Sequence, residues 1–235
     1  MKKQRRHALA AEAPTVVAIL GISRSGQSCI AGMLAKLGVA MGKSKYPANR
    51  RNPKGYYESC GITRIVQASC KTVLGVAPDP LVHWESKNTF DDRVRLLRQW
   101  ALRTAATYHA GIVGAKKYKL CLLIPEMVAA WPRLKVIATA RPIEDILRSM
   151  RTGSGWTSAT PEQRRAGIES IWERRDADLA RLNVETLRLP FVDVLRDPTA
   201  AVDRIIAFAG IIPTEEQRRR AIAHVDPRLN HHTKL

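Results

Sequence analysis

The sequence predicts a single α/β domain in which a central parallel sheet is flanked by helices on both faces. Three observations carry that prediction. Short β-branched apolar runs alternate along the chain with longer segments of helical periodicity, which is the pattern of strand–helix–strand units. The first run, Thr15 to Leu20, is apolar throughout rather than at every second position, as a central strand buried on both faces requires. The 235 residues, 45% of them hydrophobic, supply one full-sized core and are short for two.

Taken in order, residues 1–13 are a basic flexible arm and residues 14–235 form the domain. Pro14 and Gly21 bound the first strand, 15–20. Beyond Gly26, the residues Ile30, Met33, Leu34 and Leu37 recur at helical spacing, and Gly38 stops the helix. Residues 41–60, rich in Lys, Arg, Asn, Pro and Gly, are a loop. Helical periodicity returns over 62–74, is broken at Pro78 and Pro80, and returns over 91–108. Strands are expected at 111–115 and 134–140, joined by a helix that contains Leu122, Leu123 and Met127. A short helix, 143–150, follows. From Pro161 a long helix places Ile168, Ile171, Trp172, Leu179 and Leu182 on one face. A last strand at 184–189 and helices at 198–209 and 214–224 close the domain.

Subtracting 21 acidic from 39 basic side chains leaves a net charge of +18. Such an excess calls for an anionic partner: nucleic acid, a membrane surface or a small polyanionic ligand. No helix-turn-helix, zinc or RNP pattern supports the first, and no stretch reaches the roughly 20 apolar residues of a membrane helix. The basic start lacks the apolar core of a signal peptide. Cys29, Cys60, Cys70 and Cys121 form no C-x-x-C pair, and His224, His231 and His232 are too scattered for a site, so no metal is expected. The chain reads as cytoplasmic, with reduced thiols.

The chemistry lies between the first strand and the first helix. Gly21 and Gly26, followed by Gln27 and Ser28, have the spacing G-x-x-x-x-G-x-S of a phosphate-binding loop whose usual Lys is Gln27. Small residues let backbone N–H groups converge on phosphate oxygens, and the amino end of the helix adds a favourable dipole. Ser25 and Ser28 hydroxyls can donate as well, and Arg24 can supply the charge that position 27 lacks. Without the Lys, and without a strand ending in a magnesium-binding Asp, nucleoside triphosphate hydrolysis is disfavoured.

Arg24-Ser25-Gly26-Gln27-Ser28 after an apolar strand resembles the 5′-phosphosulfate loop of sulfotransferases that use 3′-phosphoadenosine 5′-phosphosulfate (PAPS). Those enzymes also carry an Arg closing a strand and a Ser eight residues later, which together grip the 3′-phosphate; Arg141 and Ser149 stand in that relation. The segment from Asn52 through Gly55 and Tyr56 to Glu58 is similar to the N-x-x-G-aromatic-x-E element of bacterial members. Lys116 falls where the family has Lys-Asp-Pro-Arg, and 189–211 resembles its strand–loop–helix near the carboxyl end. The match runs in order over about 15–211. Gln27 departs from the family's Thr, and Lys117 and Tyr118 depart from its Asp-Pro, which leaves Lys117 or Lys119 as substitutes for Lys116.

The resemblance implies a PAPS-dependent sulfotransferase. Its product would be adenosine 3′,5′-bisphosphate, and no metal is needed. Arg24, Ser25, Gly26, Gln27, Ser28, Arg141 and Ser149 would hold the cofactor. Arg24 and Lys116 would meet developing charge, and Glu58 would be the base. His83 and Asp79 are rival bases, and the family's cytosolic branch uses a His for which only His109, before the strand, is available. Trp156 either lines an acceptor pocket or lid or caps the core, whereas Trp172 belongs to the core. The acceptor is a small molecule or a glycan, an acidic one being suited to the charge. Arg228 resembles part of a terminal element without an assigned role. A P-loop small-molecule kinase and a non-enzymatic nucleic-acid-binding protein are the alternative readings.

Overall fold

The computed structural model describes residues 13–50, 52–69, 88–150 and 159–229. The basic arm before residue 13, the end of the expected helix at 62–74, Pro78, Asp79, Pro80, His83, Trp156, His231 and His232 lie outside them.

Four parallel strands form one sheet in the order β2-β1-β3-β4. They are β1 Thr15–Leu20, β2 Ile112–Lys116, β3 Leu134–Ala138 and β4 Thr186–Arg188. In register, Ala18 of β1 lies between Ala115 of β2 and Val136 of β3. Pairing of β4 is confined to three residues, Thr186 to Arg188, against Val136 to Ala138, so the edge strand is shorter than the strand expected at 184–189.

Nine α-helices cover the sheet among the described residues: α1 Gln27–Lys36, α2 Cys60–Ser69, α3 Phe90–Tyr108, α4 Ile124–Ala130, α5 Ile143–Met150, α6 Pro161–Arg181, α7 Phe191–Arg196, α8 Pro198–Ala209 and α9 Glu215–His224. The strand β1 explains the two-sided core. Its residues Val16, Ala18 and Leu20 pack with α2 to α6, while Val17 and Ile19 pack with α1 and α7 to α9. All five are at most 1% exposed, and burying each larger side chain contributes about 1.5–3 kcal/mol.

Local chemistry sets the ends of the helices. Thr89, Thr160 and Thr214 each accept from the third residue of the helix that follows, whose side chain accepts in return from the Thr backbone N–H. At the end of α1 the chain leaves through Gly38, whose φ is +93°. Two features depart from the sequence reading. The expected helix through Leu122, Leu123 and Met127 is a 3₁₀ turn, Tyr118–Leu122, followed by α4, because Pro125 has no N–H to continue the first turn and is accommodated in the opening turn of the second. The short α7, between Pro190 and Asp197, stands where a loop was expected. Trp172 is partly buried, packed against the α2–α6 side of the core.

Candidate active site

The site is built where β1, β2 and β3 end and α1 begins. After β1 the chain turns through Gly21 to Gly26. Arg24 takes a φ of +72° and Gly26 one of +91°. A side chain at position 26 is excluded twice: its Cβ would lie 2.2 Å from the Phe191 ring, and the left-handed backbone favours glycine. For Arg24 the same backbone region is strained, a cost of the order of 1–3 kcal/mol that tends to be retained at functional positions.

The loop's side chains divide into buried props and partly exposed groups. Ser25 is fully buried, its hydroxyl donating to the Ile22 carbonyl at 2.7 Å. Gln27 is buried and donates its amide to the Ile19 carbonyl at 3.0 Å. Both side chains brace the turn from beneath, their donors taken up by the Ile22 and Ile19 carbonyls. The amino end of α1 has no side-chain cap among the described residues, so its N–H groups, with Arg24 and Ser28, are what the loop presents.

Three distant segments converge on that loop. Arg24 Nε donates to Ser149 Oγ at 2.8 Å. Arg141, just beyond β3, donates from Nη1 to the Arg24 carbonyl at 3.1 Å and lies over the Phe191 ring, 5.6 Å from its centroid. Thr139 Oγ1 donates to the Ser25 carbonyl at 3.0 Å, and Arg175 Nη1 of α6 donates to the Thr139 carbonyl at 3.0 Å. Sequence reasoning missed Arg175. Its signal was present, however: a lone arginine in the apolar stripe of Ile168, Ile171 and Leu179, where an unpaired charge is costly.

Opposite Ser28 stands a buried ion cluster. Lys116, the last residue of β2 and 5% exposed, donates from Nζ to Glu58 Oε1 at 2.7 Å, to Ser28 Oγ at 3.2 Å and to the Tyr56 carbonyl at 3.2 Å. Lys117 Nζ donates to the other carboxylate oxygen at 2.5 Å and lies 5.2 Å from the centroid of the Tyr46 ring. Glu58 is held by a small antiparallel bridge between Ser44 and Ser59, with the Lys45 N–H on its carbonyl at 2.6 Å. Its predecessor Tyr57 has a φ of +54°.

Burial works to raise the Glu58 carboxyl, but Lys116 and then Lys117 overcome it and hold the group below the usual carboxylate range. Burial pushes the Lys116 ammonium down, with Glu58 opposing. Arg141 is likewise lowered, by burial first, against the pull of Asp145. Arg24, Lys116, Lys117 and Arg141 thus gather at one helix start with two carboxylates, Glu58 and Asp145. That excess of partly desolvated positive charge fits a ligand with more than one anionic group.

Other candidates lie apart in kind. His109 is exposed at the end of α3. His224 is buried edge-on to the Tyr57 ring and packs directly on Gly32. Arg228 is exposed and paired with Asp226. Among the described residues no group of three or more His, Cys, Asp and Glu could hold a metal, and no helix is long and apolar enough to cross a membrane.

No family model and no curated protein matches the sequence. Solved structures do match the fold. Sulfotransferase STF1 of Mycobacterium tuberculosis H37Rv superposes with a TM-score of 0.53 at 16% identity, over 94% of this chain and 74% of its own. The sulfotransferase domain from the curacin biosynthetic pathway gives 0.52 at 14% identity, over 87% of this chain and 76% of its own. With its four-stranded parallel sheet, flanking helices and phosphate-loop turn after β1, the chain has the sulfotransferase fold.

Proposed function

We propose that this protein is a sulfotransferase that moves a sulfuryl group from PAPS to a hydroxyl or amine acceptor. The observation that carries the reading is the position of Lys116. Its buried ammonium joins Ser28, at the start of α1, to Glu58, with 3.2 Å on one side and 2.7 Å on the other. A cation so placed faces both a phosphosulfate held on the helix start and the acceptor beside it.

When bound, PAPS supplies the activated sulfuryl group; the rest falls to this chain's residues. Arg24, Ser28 and the N–H groups opening α1 hold the 5′-phosphosulfate through charge-assisted hydrogen bonds. Arg141 and Ser149 receive the 3′-phosphate, and Gln27 and Ser25 keep the turn in shape. Lys116 stabilises negative charge on the leaving oxygen, a role that burial strengthens because fixed charges act more strongly where water is excluded. Glu58, kept ionised by its lysines, accepts the acceptor proton. Its lowered pKa makes it a weak base at rest, and it becomes competent as the attacking oxygen acidifies on bonding to sulfur.

Thermal unfolding with adenosine 3′,5′-bisphosphate, with ATP–magnesium and with neither tests the donor site. At about 100 times its dissociation constant, a ligand of the native state stabilises by about 2.7 kcal/mol. A shift with the bisphosphate alone is expected. A shift with ATP–magnesium alone would refute the reading in favour of a kinase, and no shift with either would direct attention to nucleic acid.

A further inference from the structure

The loop that carries Glu58 is electrostatically one-sided. Between residues 41 and 57 the sequence holds Lys43, Lys45, Arg50, Arg51 and Lys54 and no Asp or Glu. Elsewhere exposed arginines lie beside carboxylates: Arg95 by Asp92, Arg181 by Asp178, Arg196 by Asp193 and Arg219 by Glu216. Lys43, Lys45 and Arg50 are exposed and form no ion pair with any described residue. Like charges crowded on a short loop repel one another, and although Lys54 lies 4.0 Å from Asp226, the arrangement of the other described cations favours an external anion.

Register decides where two of these lysines project. Residues opposite one another on an antiparallel pair share a face. The Ser44–Ser59 bridge sets Lys45 opposite Glu58 and Lys43 opposite Cys60, with backbone bonds of 2.6 and 2.8 Å. Ser59 points the other way, where it accepts from Trp100 Nε1 at 3.0 Å. Lys43 and Lys45 therefore project from the face of the loop that carries Glu58.

The carboxylate itself supplies the second half of the argument. Each of its oxygens is covered by a lysine, Oε1 by Lys116 and Oε2 by Lys117. Lys116 is tied by three acceptors, whereas Lys117 is held by Glu58 and the face of Tyr46. Each oxygen keeps a second lone pair, but a lysine against it lowers its basicity, so Glu58 becomes a better base when one lysine withdraws, and Lys117 is the cation less firmly held.

We propose that the acceptor carries an anionic group, a carboxylate, sulfate or phosphate, close to the hydroxyl or amine it offers, and that Lys45 and Lys117 receive that group. This rests on the sulfotransferase reading and names the acceptor class for the same site. The incoming anion gives the Lys117 ammonium a second partner and draws it from Oε2. The acceptor's proton passes to Oε2 as its oxygen or nitrogen bonds to sulfur, and the electron pair of the broken bond remains on the oxygen facing Lys116. A neutral acceptor offers Lys117 nothing and leaves Oε2 covered.

Glucuronate and glucose, which share ring hydroxyls and differ in one carboxylate, are suitable probes. Each is titrated at constant ionic strength into protein saturated with adenosine 3′,5′-bisphosphate, with binding followed by NMR of the sugar. Glucuronate should bind at least about tenfold more tightly than glucose, the factor worth 1.4 kcal/mol. Lys45→Ala should remove part of that preference, Lys45→Ala with Lys117→Met nearly all of it, and Arg181→Ala none. Lys45 is exposed, so its single variant stays informative should Lys117→Met melt early. Equal affinities, no binding of either sugar, or a preference that survives the double substitution would overturn the proposal. Failure of the bisphosphate to stabilise the protein would instead strike the sulfotransferase reading, and the sugar comparison can still be made without it.

Discussion

Replacing Glu58 with Gln isolates the charge at the centre of the site. The two side chains of the inner pair are 10% and 5% exposed, with 2.7 Å between Glu58 Oε1 and Lys116 Nζ. In Glu58→Gln the Lys116 ammonium keeps only neutral acceptors, the Ser28 hydroxyl, the Tyr56 carbonyl and the Gln amide oxygen, and stranding one member of a buried pair costs about 3–5 kcal/mol. Lys116 can escape part of that cost by giving up its proton, because burial already pushes it downward and Glu58 is what opposes the fall. A loss of about 3 kcal/mol at pH 7 is therefore expected, shrinking towards pH 9. For a domain of this size that is about 6–12 °C in melting temperature. The assay is thermal and urea unfolding of the wild type, Glu58→Gln, Lys116→Met and the double variant. The double variant should recover about 2 kcal/mol relative to the sum of the singles, since the residues share one interaction. Acid provides an internal check. The folded-state pKa of Glu58 lies below its unfolded value, near 4.3, so its stabilisation is complete above that value and is lost as pH falls through the folded one. The gap between wild type and Glu58→Gln should be no smaller at pH 5 than at pH 7 and should narrow below about pH 4, as Glu58 gains its proton. A cost under about 1 kcal/mol at pH 7, or additivity within about 0.5 kcal/mol, would refute the buried-pair account.

Gly32→Ala should destabilise by about 1–3 kcal/mol in urea unfolding, because its Cβ would lie 1.9 Å from His224 Nε2 against a ring already packed on Tyr57. His224 has its pKa pushed down to about 4, by burial first and then by Lys54 and Lys36. The unfolded chain takes up the proton more readily, so stability should fall by about 2–3 kcal/mol as pH drops from about 6.5 to about 4; His224→Gln should flatten that limb of the unfolding curve. Arg141→Ala should weaken adenosine 3′,5′-bisphosphate by at least about tenfold in calorimetry, the value of one charge-assisted hydrogen bond. Unchanged affinity would remove Arg141 from the 3′-phosphate site. Arg175→Met should weaken the same ligand, because the Thr139 carbonyl and the Ser25 carbonyl beyond it lose their brace; rescue by Arg175→Lys would separate positioning from a general loss of packing.

The fold was legible where local chemistry and tertiary environment agree. A strand covered on both faces must be apolar throughout, so β1 reads residue for residue at Thr15–Leu20. The threonines at 89, 160 and 214, each followed three residues later by Asp or Gln, announce α3, α6 and α9. Boundaries slipped where packing rather than pattern decides them. The strand β4 ends with the reach of its neighbour, and the turn before α4 depends on where Pro125 falls in the helix.

The candidate site divides along the same line. Spacing along the chain marked the phosphate loop with Arg24, and the resemblance to sulfotransferase motifs marked Glu58, Lys116, Arg141 and Ser149, because a strand-ending arginine and a glycine–aromatic–carboxylate element are local patterns. Only the tertiary structure decided which way their side chains turn and whom they meet. It turned Ser25 and Gln27 inward to carbonyls of their own loop and strand. It joined Arg24 to Ser149 across 125 positions, set Lys117 beside Lys116 on one carboxylate and placed Arg175 beneath the turn. The reason is physical. A buried donor or charge takes the nearest partner that folding brings to it, whether a carbonyl of its own loop, as for Ser25, or a group far away along the chain, as for Arg24.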